Sequence, residues 1–426
     1  MAEEVWMLQT KKADFKQIGA RFRIDPVTAR IIRNRGIEGE AAIDRYLNGT
    51  LDDLYDPMLL KDMERAVSIL CEAVDTGKKI RIVGDYDIDG VCSTYILLKA
   101  FERLGSDVDF EIPDRIKDGY GINESIIEQA HADGVEVILT CDNGISAFHQ
   151  VELAKKYGMT VVITDHHEVP LDGEKEKIPP ADAVIDPKQA DCPYPFPEIC
   201  GAVVAYKLVQ VLYARRGVPQ MEWLDLLEFA AIATVGDVMK LQDENRILVK
   251  YGLKKMAQTK NLGLRRLAEK NNLDLGAITA YHIGFVIGPC LNAGGRLKTA
   301  KEALALLRAQ SEEEAERLAE ELKELNDTRK DMTEQGTEAA KLQVESWYQK
   351  DKVLVVFLPE CHESLAGIIA GRLREYYQKP AIVLTRGEEA VKGSGRSIDE
   401  YHMFKKLTEV SDLLLKFGGH PLAAGV

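Results

Sequence analysis

Acidic and imidazole side chains stand where short apolar runs end. VGDYDIDG supplies Asp85, Asp87 and Asp89, TCDNG supplies Asp142, and TDHHE supplies Asp165, His166 and His167. A fourth acidic motif, with Asp237, closes the apolar helical run of TVGDV. In an open parallel sheet, ligands bind beyond the carboxyl ends of the strands, so these groups are expected to converge on one crevice. Four or more carboxylates beside imidazole cannot share a crevice in ionised form unless cations neutralise them. An oxygen-rich set with one or two histidines suits two divalent cations, Mn²⁺ first and Mg²⁺ second, better than zinc. A pair of such ions clamps the attacking and leaving oxygens of an in-line displacement at phosphorus. Asp142, alone at the end of a middle strand, is the candidate to bridge them. DYDIDG also opens like a calcium loop. The position that needs Glu is Ala100 counting from Asp89, or Ile96 counting from Asp85, which argues against calcium.

The elements that must hold these groups are short buried strands alternating with helices. KKIRIVGDYD reads as a β-rich run and VDFEIPDR, VEVILTCDNG and MTVVITDHHE as short apolar runs, separated by helical stretches such as GVCSTYILLKAFERLG and ISAFHQVELAKKYG. That alternation predicts an α/β fold with a mainly parallel sheet flanked by helices. Residues 201–260 read as mostly helical, with LLEFAAIATVGDV a buried helix. Ser311 and Glu314 form a capping-box pattern ahead of a long acidic helix, and DKVLVVFLP opens a second, smaller α/β unit. The expected division is a helical flank over 1–50, a catalytic domain over 51–305, a connecting helix over 306–348 and a smaller domain over 349–426.

Composition narrows the class. The 426 residues are 46% hydrophobic and 29% charged, a globular balance that argues against global disorder. A net charge of −14 excludes a uniformly basic nucleic-acid coat protein but leaves room for an enzyme with a local basic track. Lys11 to Arg35 carries eight Lys/Arg against two Asp, which reads first as a solvated helical face and second as a phosphate-facing flank. No apolar run approaches the roughly 18 residues of a membrane span. MAEEVWMLQTKK lacks the pattern of a signal peptide. Seven cysteines with no CxxC point to a reducing, cytoplasmic setting. The sequence stops after GGHPLAAGV, which reads as a C-terminal truncation.

The acidic motifs resemble those of the DHH phosphoesterase superfamily, named for a motif that here is Asp165-His166-His167. Within it the chain is similar to the RecJ family of single-strand-specific DNA exonucleases. VGDYDIDG, TCDNGI, TDHHEVP and ATVGDVMKL correspond to four family motifs. IPDRIKDGYGIN, GPCLNAGGRL, CHESLAGIIAGRL, GSGRS and FGGHPLAAG match further signatures, the last three in a DHHA1-type second domain that joins the DHH domain through the long helix. The resemblance implies metal ligands at Asp87, Asp89, Asp142, His166 and Asp237. It makes Asp85 a ligand or a supporting acid, and gives His167 a part at the scissile phosphate or in proton transfer. It assigns Arg115, Ser394 and Arg396 to a terminal 5′-phosphate, with GSGRS read as a glycine-rich loop whose N–H groups approach the phosphate. Tyr120, between two glycines, is placed to stack on an unpaired base or to pack over its loop. Asn292 and Arg296 are assigned to backbone phosphates, and His420 to bracing loops or touching a phosphate. Departures are Val83 where many relatives carry a first-motif His, Met239-Lys240 after the fourth motif, Asp114 before Arg115, and CHES for a Trp-His form. An OB-fold domain usual in full-length relatives is expected to be missing.

The implied activity is metal-dependent hydrolysis of single-stranded DNA from the 5′ end to 5′-mononucleotides, in DNA repair and recombination, by a monomer with no membrane partner. A single-strand-binding protein or a helicase as partner is not readable from the residues. Two alternatives are an oligoribonucleotide or cyclic-dinucleotide phosphodiesterase of the same superfamily and a non-catalytic RecJ-like DNA-binding scaffold. The long N-terminal part and DYDIDG favour the exonuclease over the first, and the intact acids and histidines favour it over the second.

Overall fold

The computed structural model describes residues 6–387 and 390–426, and its chain divides into two compact units, Leu8–Lys323 and, for the most part, Glu324–Val426. In the larger unit the β-branched runs form strands β1 (Ile80–Val83), β2 (Val108–Glu111), β3 (Val137–Cys141), β4 (Thr160–Thr164) and β5 (Ala183–Ile185). They build one parallel sheet in the order β2-β1-β3-β4-β5. Strands β1, β3 and β5 are buried throughout, as their continuous apolar sequences require in a sheet covered on both faces. From β1 the chain steps to β2 on one side, whereas β3 lies on the other. The switch point therefore falls between the carboxyl ends of β1 and β3, where VGDYDIDG and TCDNG begin. The one charge buried in β1, Arg81, pairs with Asp109 at 2.7 Å and Asp133 at 2.8 Å.

Three buried helices complete the support. Ile88–Arg103 follows β1 directly, and Asp87 caps it by accepting from the N–H groups of Asp89 (2.9 Å) and Gly90 (3.1 Å). Gly201–Arg215 and Leu227–Gly236 pack beside it, and Asp237 stands at the carboxyl end of the latter. Three short helices, Phe15–Phe22, Pro26–Asn34 and Glu40–Asn48, enclose a small core of Ile32, Ile37, Ile43 and Tyr46. Within the basic Lys11–Arg35 stretch, Arg21 pairs with Glu40 (2.7 Å) and Arg33 with Glu38 (2.8 Å), so part of that charge is compensated locally.

The helix Glu312–Gln343 runs for 32 residues, about 48 Å. Ser311 Oγ accepts the Glu314 N–H at 3.1 Å, but the Glu314 carboxylate reaches the Gln310 N–H (3.0 Å) and not that of Ser311, so half of the expected capping box forms. The smaller unit holds β6 (Leu354–Phe357), β7 (Ala381–Arg386), β8 (Val391–Arg396), β9 (Gly418–His420) and β10 (Ala423–Gly425) in the order β9-β10-β8-β7-β6. Helix Glu363–Tyr377 connects β6 to its parallel neighbour β7 and packs on the sheet.

One expectation is corrected here. GSGRS is no loop: its first four residues lie in β8, paired on one side with β7 and on the other with β10. Its glycines serve close packing, since a Cβ on Gly395 would sit 2.3 Å from Met403 Sδ. The ladder engages the backbone, as in the bond from Gly393 N–H to the Val426 carbonyl at 2.9 Å, so a nest of open N–H groups does not form. No helix of the described residues is long and apolar enough to cross a membrane, and all seven cysteines are free thiols.

Candidate active site

The strand-end acids do converge. Three sets of side chains each place their ligand atoms within 4.8 Å of one another: Asp85, Asp87 and Asp142; Asp142, His166 and His167; and Asp89, His166 and Asp237. Asp142 belongs to two sets, the arrangement expected of a carboxylate shared between adjacent cations, and His166 also belongs to two, although the one lone pair of its Nε2 can serve a single ion. His166 Nε2 lies 3.1 Å from Asp142 Oδ1, 3.4 Å from Asp89 Oδ2 and 3.9 Å from Asp237 Oδ2.

Local backbone chemistry aims these groups. Asp142 sits in the left-handed region at φ 61°, a conformation of β3's exit loop that costs energy and turns the carboxylate inward. Val238, directly after Asp237, is also left-handed at φ 58°, which is costlier still for a β-branched residue. Both oxygens of Asp89 accept backbone N–H groups at the start of helix Gly201–Arg215, from Gly201 at 2.6 Å and Ala202 at 2.7 Å. The positive end of that helix therefore faces the acid cluster. It approaches so closely because residue 201 is glycine: a Cβ there would stand 2.7 Å from Asp142 Cβ and 2.9 Å from its Cα.

Burial sets the electrostatics. It pushes the Asp85 carboxyl up to about 8, with Asp87 adding to the rise, and the Asp237 carboxyl up to about 8, with Asp89 and Asp87 adding. Burial, then Asp89, raises Asp87 and takes Asp142 well above the usual range. Burial lowers His166. His167 goes the other way: burial opposes its charge, but the bond and charge of Asp165 prevail and raise it to about 9. Asp165 Oδ1 lies 2.7 Å from His167 Nδ1, while its other oxygen accepts the Ile145 N–H at 2.8 Å. The charge gained from His167 holds the Asp165 carboxyl below its ordinary value despite burial.

A divalent cation fits this donor set. Buried carboxylates that raise one another have too little positive charge nearby, and oxygen donors with one or two imidazoles suit Mn²⁺ or Mg²⁺. Asp87, Asp89, Asp142, His166 and Asp237 would hold it, with Asp85 at the edge. Asp85 Oδ1 accepts the Gly121 N–H at 3.3 Å.

The other sequence-derived candidates fall into three places. Tyr120, 47% exposed, donates its hydroxyl to the Asp142 carbonyl (2.8 Å), and that oxygen is also 3.2 Å from His167 Nε2. Its tip belongs to the acid cluster while its ring is half open. Arg115 and Arg296 line one small cavity with Tyr86, over whose ring the Arg115 guanidinium lies at 4.6 Å. Asn292 is half-buried on helix Gly288–Leu297, one turn before Arg296. Ser394, Arg396 and His420 lie in the smaller unit. Arg396 pairs with Ala423, which pairs with His420, so Arg396 and His420 occupy one row across three strands and Ser394 shares their face.

Sequence reading missed three contributors and the role of a fourth. Asp165 orients His167, a role hidden in the first letter of its own motif. Asp186, at the end of β5, is a further strand-end acid, buried, with one oxygen lacking a hydrogen-bond partner and its carboxyl pushed up to about 7 by burial and then by Asp165. AVIDP carries the same signal as the other strand ends. Asn143 ties the loops together through the Val83 carbonyl (3.0 Å), the Cys141 carbonyl (2.9 Å) and the Ile122 N–H (3.2 Å). Gly201 has no sequence signal of its own.

Residues 79–234 match the DHH family, N-terminal domain, and residues 350–426 match the DHHA1 domain. The chain is 38% identical to the single-stranded-DNA-specific exonuclease RecJ of Bacillus subtilis over 99% of its own length and 52% of that protein's. It is 35% identical to RecJ of Haemophilus influenzae over 96% of its length and 73% of that relative's. The crystal structure of Thermus thermophilus RecJ with Mn²⁺ superposes with a TM-score of 0.81 at 31% identity, covering 96% of this chain and 57% of the other. The chain thus spans about half the length of its Bacillus relative. With both domain types present and a relative matched across nearly three quarters of its length, the chain belongs to the RecJ family.

Proposed function

We propose that the chain hydrolyses single-stranded DNA from the 5′ end to 5′-mononucleotides with the help of two divalent cations, Mn²⁺ by preference. The observation that carries this reading is the convergence of five aspartates and two histidines into three overlapping sets at the sheet's switch point. The curated relatives are single-stranded-DNA-specific exonucleases and the solved Thermus relative holds Mn²⁺. When bound, such ions polarise the phosphate and generate the nucleophile at neutral pH. The residues of the chain do the rest. Asp142 would be the ligand shared by the two ions, and His166 would serve one of them. His167, kept protonated by Asp165, holds a proton at Nε2, positioned to stabilise charge on the phosphate or to protonate the leaving oxygen. The Tyr120 hydroxyl steadies that ring. Arg115, Ser394 and Arg396 are assigned to the terminal 5′-phosphate, and Asn292 and Arg296 to the strand's phosphates. The domain limits read from the sequence, a monomeric state, a cytoplasmic location (in keeping with seven free thiols) and a role in DNA repair belong to the same proposal.

Chelation followed by Mn²⁺ titration tests it. The stripped protein should cut no single strand, bind two Mn²⁺ and regain cleavage, while Asp142→Asn should lose tight binding and turnover together. Cleavage that survives exhaustive chelation overturns the proposal.

A further inference from the structure

A cavity of about 620 Å³ opens in the larger unit, away from the strand-end acids. Cavities of about 300–1,000 Å³ hold small organic ligands. This one lies between the second half of helix Ile88–Arg103, the start of helix Leu227–Gly236 and the turn into helix Leu262–Lys270. Asp89 and Asp237 stand at the opposite ends of the first two helices. Glu102 and Glu228, which line the cavity, are about 20 Å and 14 Å from them along the helix axes.

The buried acid in the lining is Glu228, 3% exposed. Thr259 Oγ1 donates to its Oε1 at 2.7 Å, and its Oε2 has no hydrogen-bond partner. Oε1 keeps one lone pair open and Oε2 keeps both, so the carboxylate offers two adjacent acceptors. A buried acceptor left open bears the full cost of desolvation, which a donor on a ligand recovers. The walls around it are fixed. The rings of Tyr95 and Phe229 meet with centroids 4.3 Å apart, and Asn261 Nδ2 donates to the Tyr95 hydroxyl (3.0 Å) and the Leu307 carbonyl (2.7 Å). The outer part is cationic. Glu102 faces Lys99 (3.3 Å) and Arg308 (2.8 Å). Asp225 faces Lys260 (3.4 Å) and Lys255, and Glu222 faces Arg103. Apart from Glu228, three acids of the lining thus serve five cations, and two positive charges stay uncompensated.

We propose that this cavity binds a guanine nucleotide, with the base on Glu228 and the phosphate among the outer cations. Guanine carries an N–H and an amino group side by side on one edge, the donor pair that two adjacent carboxylate oxygens accept. Adenine and cytosine put an acceptor beside their amino group, and thymine sets its single N–H between two acceptors. A phosphate monoester carries about 1.5–2 negative charges, which matches the surplus of the outer part. Leu226, Leu262 and Leu307 add apolar lining for the flat base. The shared chemistry, guanine plus phosphate, has two sources: 2′-deoxynucleotides released from DNA and free ribonucleotides. The site is independent of the exonuclease reading, because its readout is binding.

The test is isothermal titration calorimetry on the full chain in EDTA, with dGMP, GMP, dIMP, dTMP and guanosine. EDTA keeps cations from drawing phosphates to the acid cluster. Wild type should bind dGMP or GMP, and the tighter of the two names the source. dIMP lacks the amino group and should bind about 10- to 150-fold more weakly than dGMP, with dTMP weaker still. Glu228→Gln keeps the acceptor for Thr259 but turns the other oxygen into a donor. It should lose guanine-nucleotide affinity by about the same factor, 10- to 150-fold, while circular dichroism shows the wild-type fold. Lys260→Ala, at a side chain 84% exposed, should weaken dGMP and leave guanosine unchanged. Arg396→Ala, in the other unit, should bind dGMP as wild type does. No binding of either guanine nucleotide, equal affinity for dGMP and dIMP or dTMP, or a Glu228→Gln variant that binds like wild type overturns the proposal. Loss of binding in Arg396→Ala also overturns it, because the nucleotide would then sit in the 5′-phosphate pocket.

Discussion

Gly201→Ala is the substitution that reaches the acid cluster without replacing a charged side chain. An added Cβ would lie 2.7 Å from Asp142 Cβ, and ordinary contact begins at 3.4 Å, so one side must retreat by about 0.7 Å. Its neighbours at Asp142 are backbone and a buried carboxylate, which leaves no flexible tip to swing aside. The start of helix Gly201–Arg215 is the freer partner. Its retreat lengthens the two bonds from Gly201 and Ala202 to Asp89, at 2.6 and 2.7 Å. Hydrogen bonds to a charged group contribute about 1.5–3 kcal/mol each, and overpacking a core costs about 1–3 kcal/mol. A displacement near 1 Å in a catalytic constellation costs about 100-fold in rate. Turnover of a single strand at saturating Mn²⁺ should therefore fall about 100-fold, with weaker Mn²⁺ binding by calorimetry and a folded protein by circular dichroism. Turnover within twofold of wild type and unchanged Mn²⁺ affinity would refute the claim that this helix start positions Asp89 and Asp142.

Asp165→Asn removes the charge that keeps His167 protonated. The His167 titration should move to lower pH by NMR and turnover should drop by about 10²–10⁴-fold, whereas an unmoved titration would remove Asp165 from that role. Glu228, remote from the acid cluster, is buried with one oxygen unpartnered and its carboxyl pushed up to about 7, first by burial. A raised carboxyl favours the fold below its unfolded value of 4.5 and loses that contribution as pH climbs through 7. Glu228→Gln, which keeps the acceptor for Thr259, should thus gain stability over wild type from pH 5 to pH 8 by up to about 3 kcal/mol. A gap in melting temperature that is the same at both pH values would contradict this. Arg396→Ala should reduce cleavage of 5′-phosphorylated ends about 10- to 100-fold more than of 5′-hydroxyl ends, and equal losses would sink the 5′-phosphate assignment.

The acid cluster is legible in the sequence because every part but Asp237, which closes a helix, follows a strand whose β-branched run is unmistakable. Parallel topology then dictates which ends meet. Asp85, Asp87, Asp142 and His166 need only that rule to be placed together. What stays hidden depends on contacts distant in sequence. Glycines in GSGRS read as a loop, yet Gly395 answers to Met403 across the sheet and Gly393 to Val426. Gly201 matters only because Asp142 arrives 59 residues earlier in the chain to face it. Tyr120 shows a ring in its sequence context but not that its hydroxyl would reach the Asp142 carbonyl. Tyr281 and Phe285, four residues apart, have the spacing of an ordinary core stripe, and nothing local says that this stripe faces outward.

The central claim is tested most directly by a time course on one single-stranded DNA oligomer labelled separately at each end, with Mn²⁺, beside the matching duplex. The expected result is early release of the 5′ label as a mononucleotide from the single strand, late release of the 3′ label, and an intact duplex. Early release of the 3′ label, internal fragments, or equal attack on the duplex would contradict it.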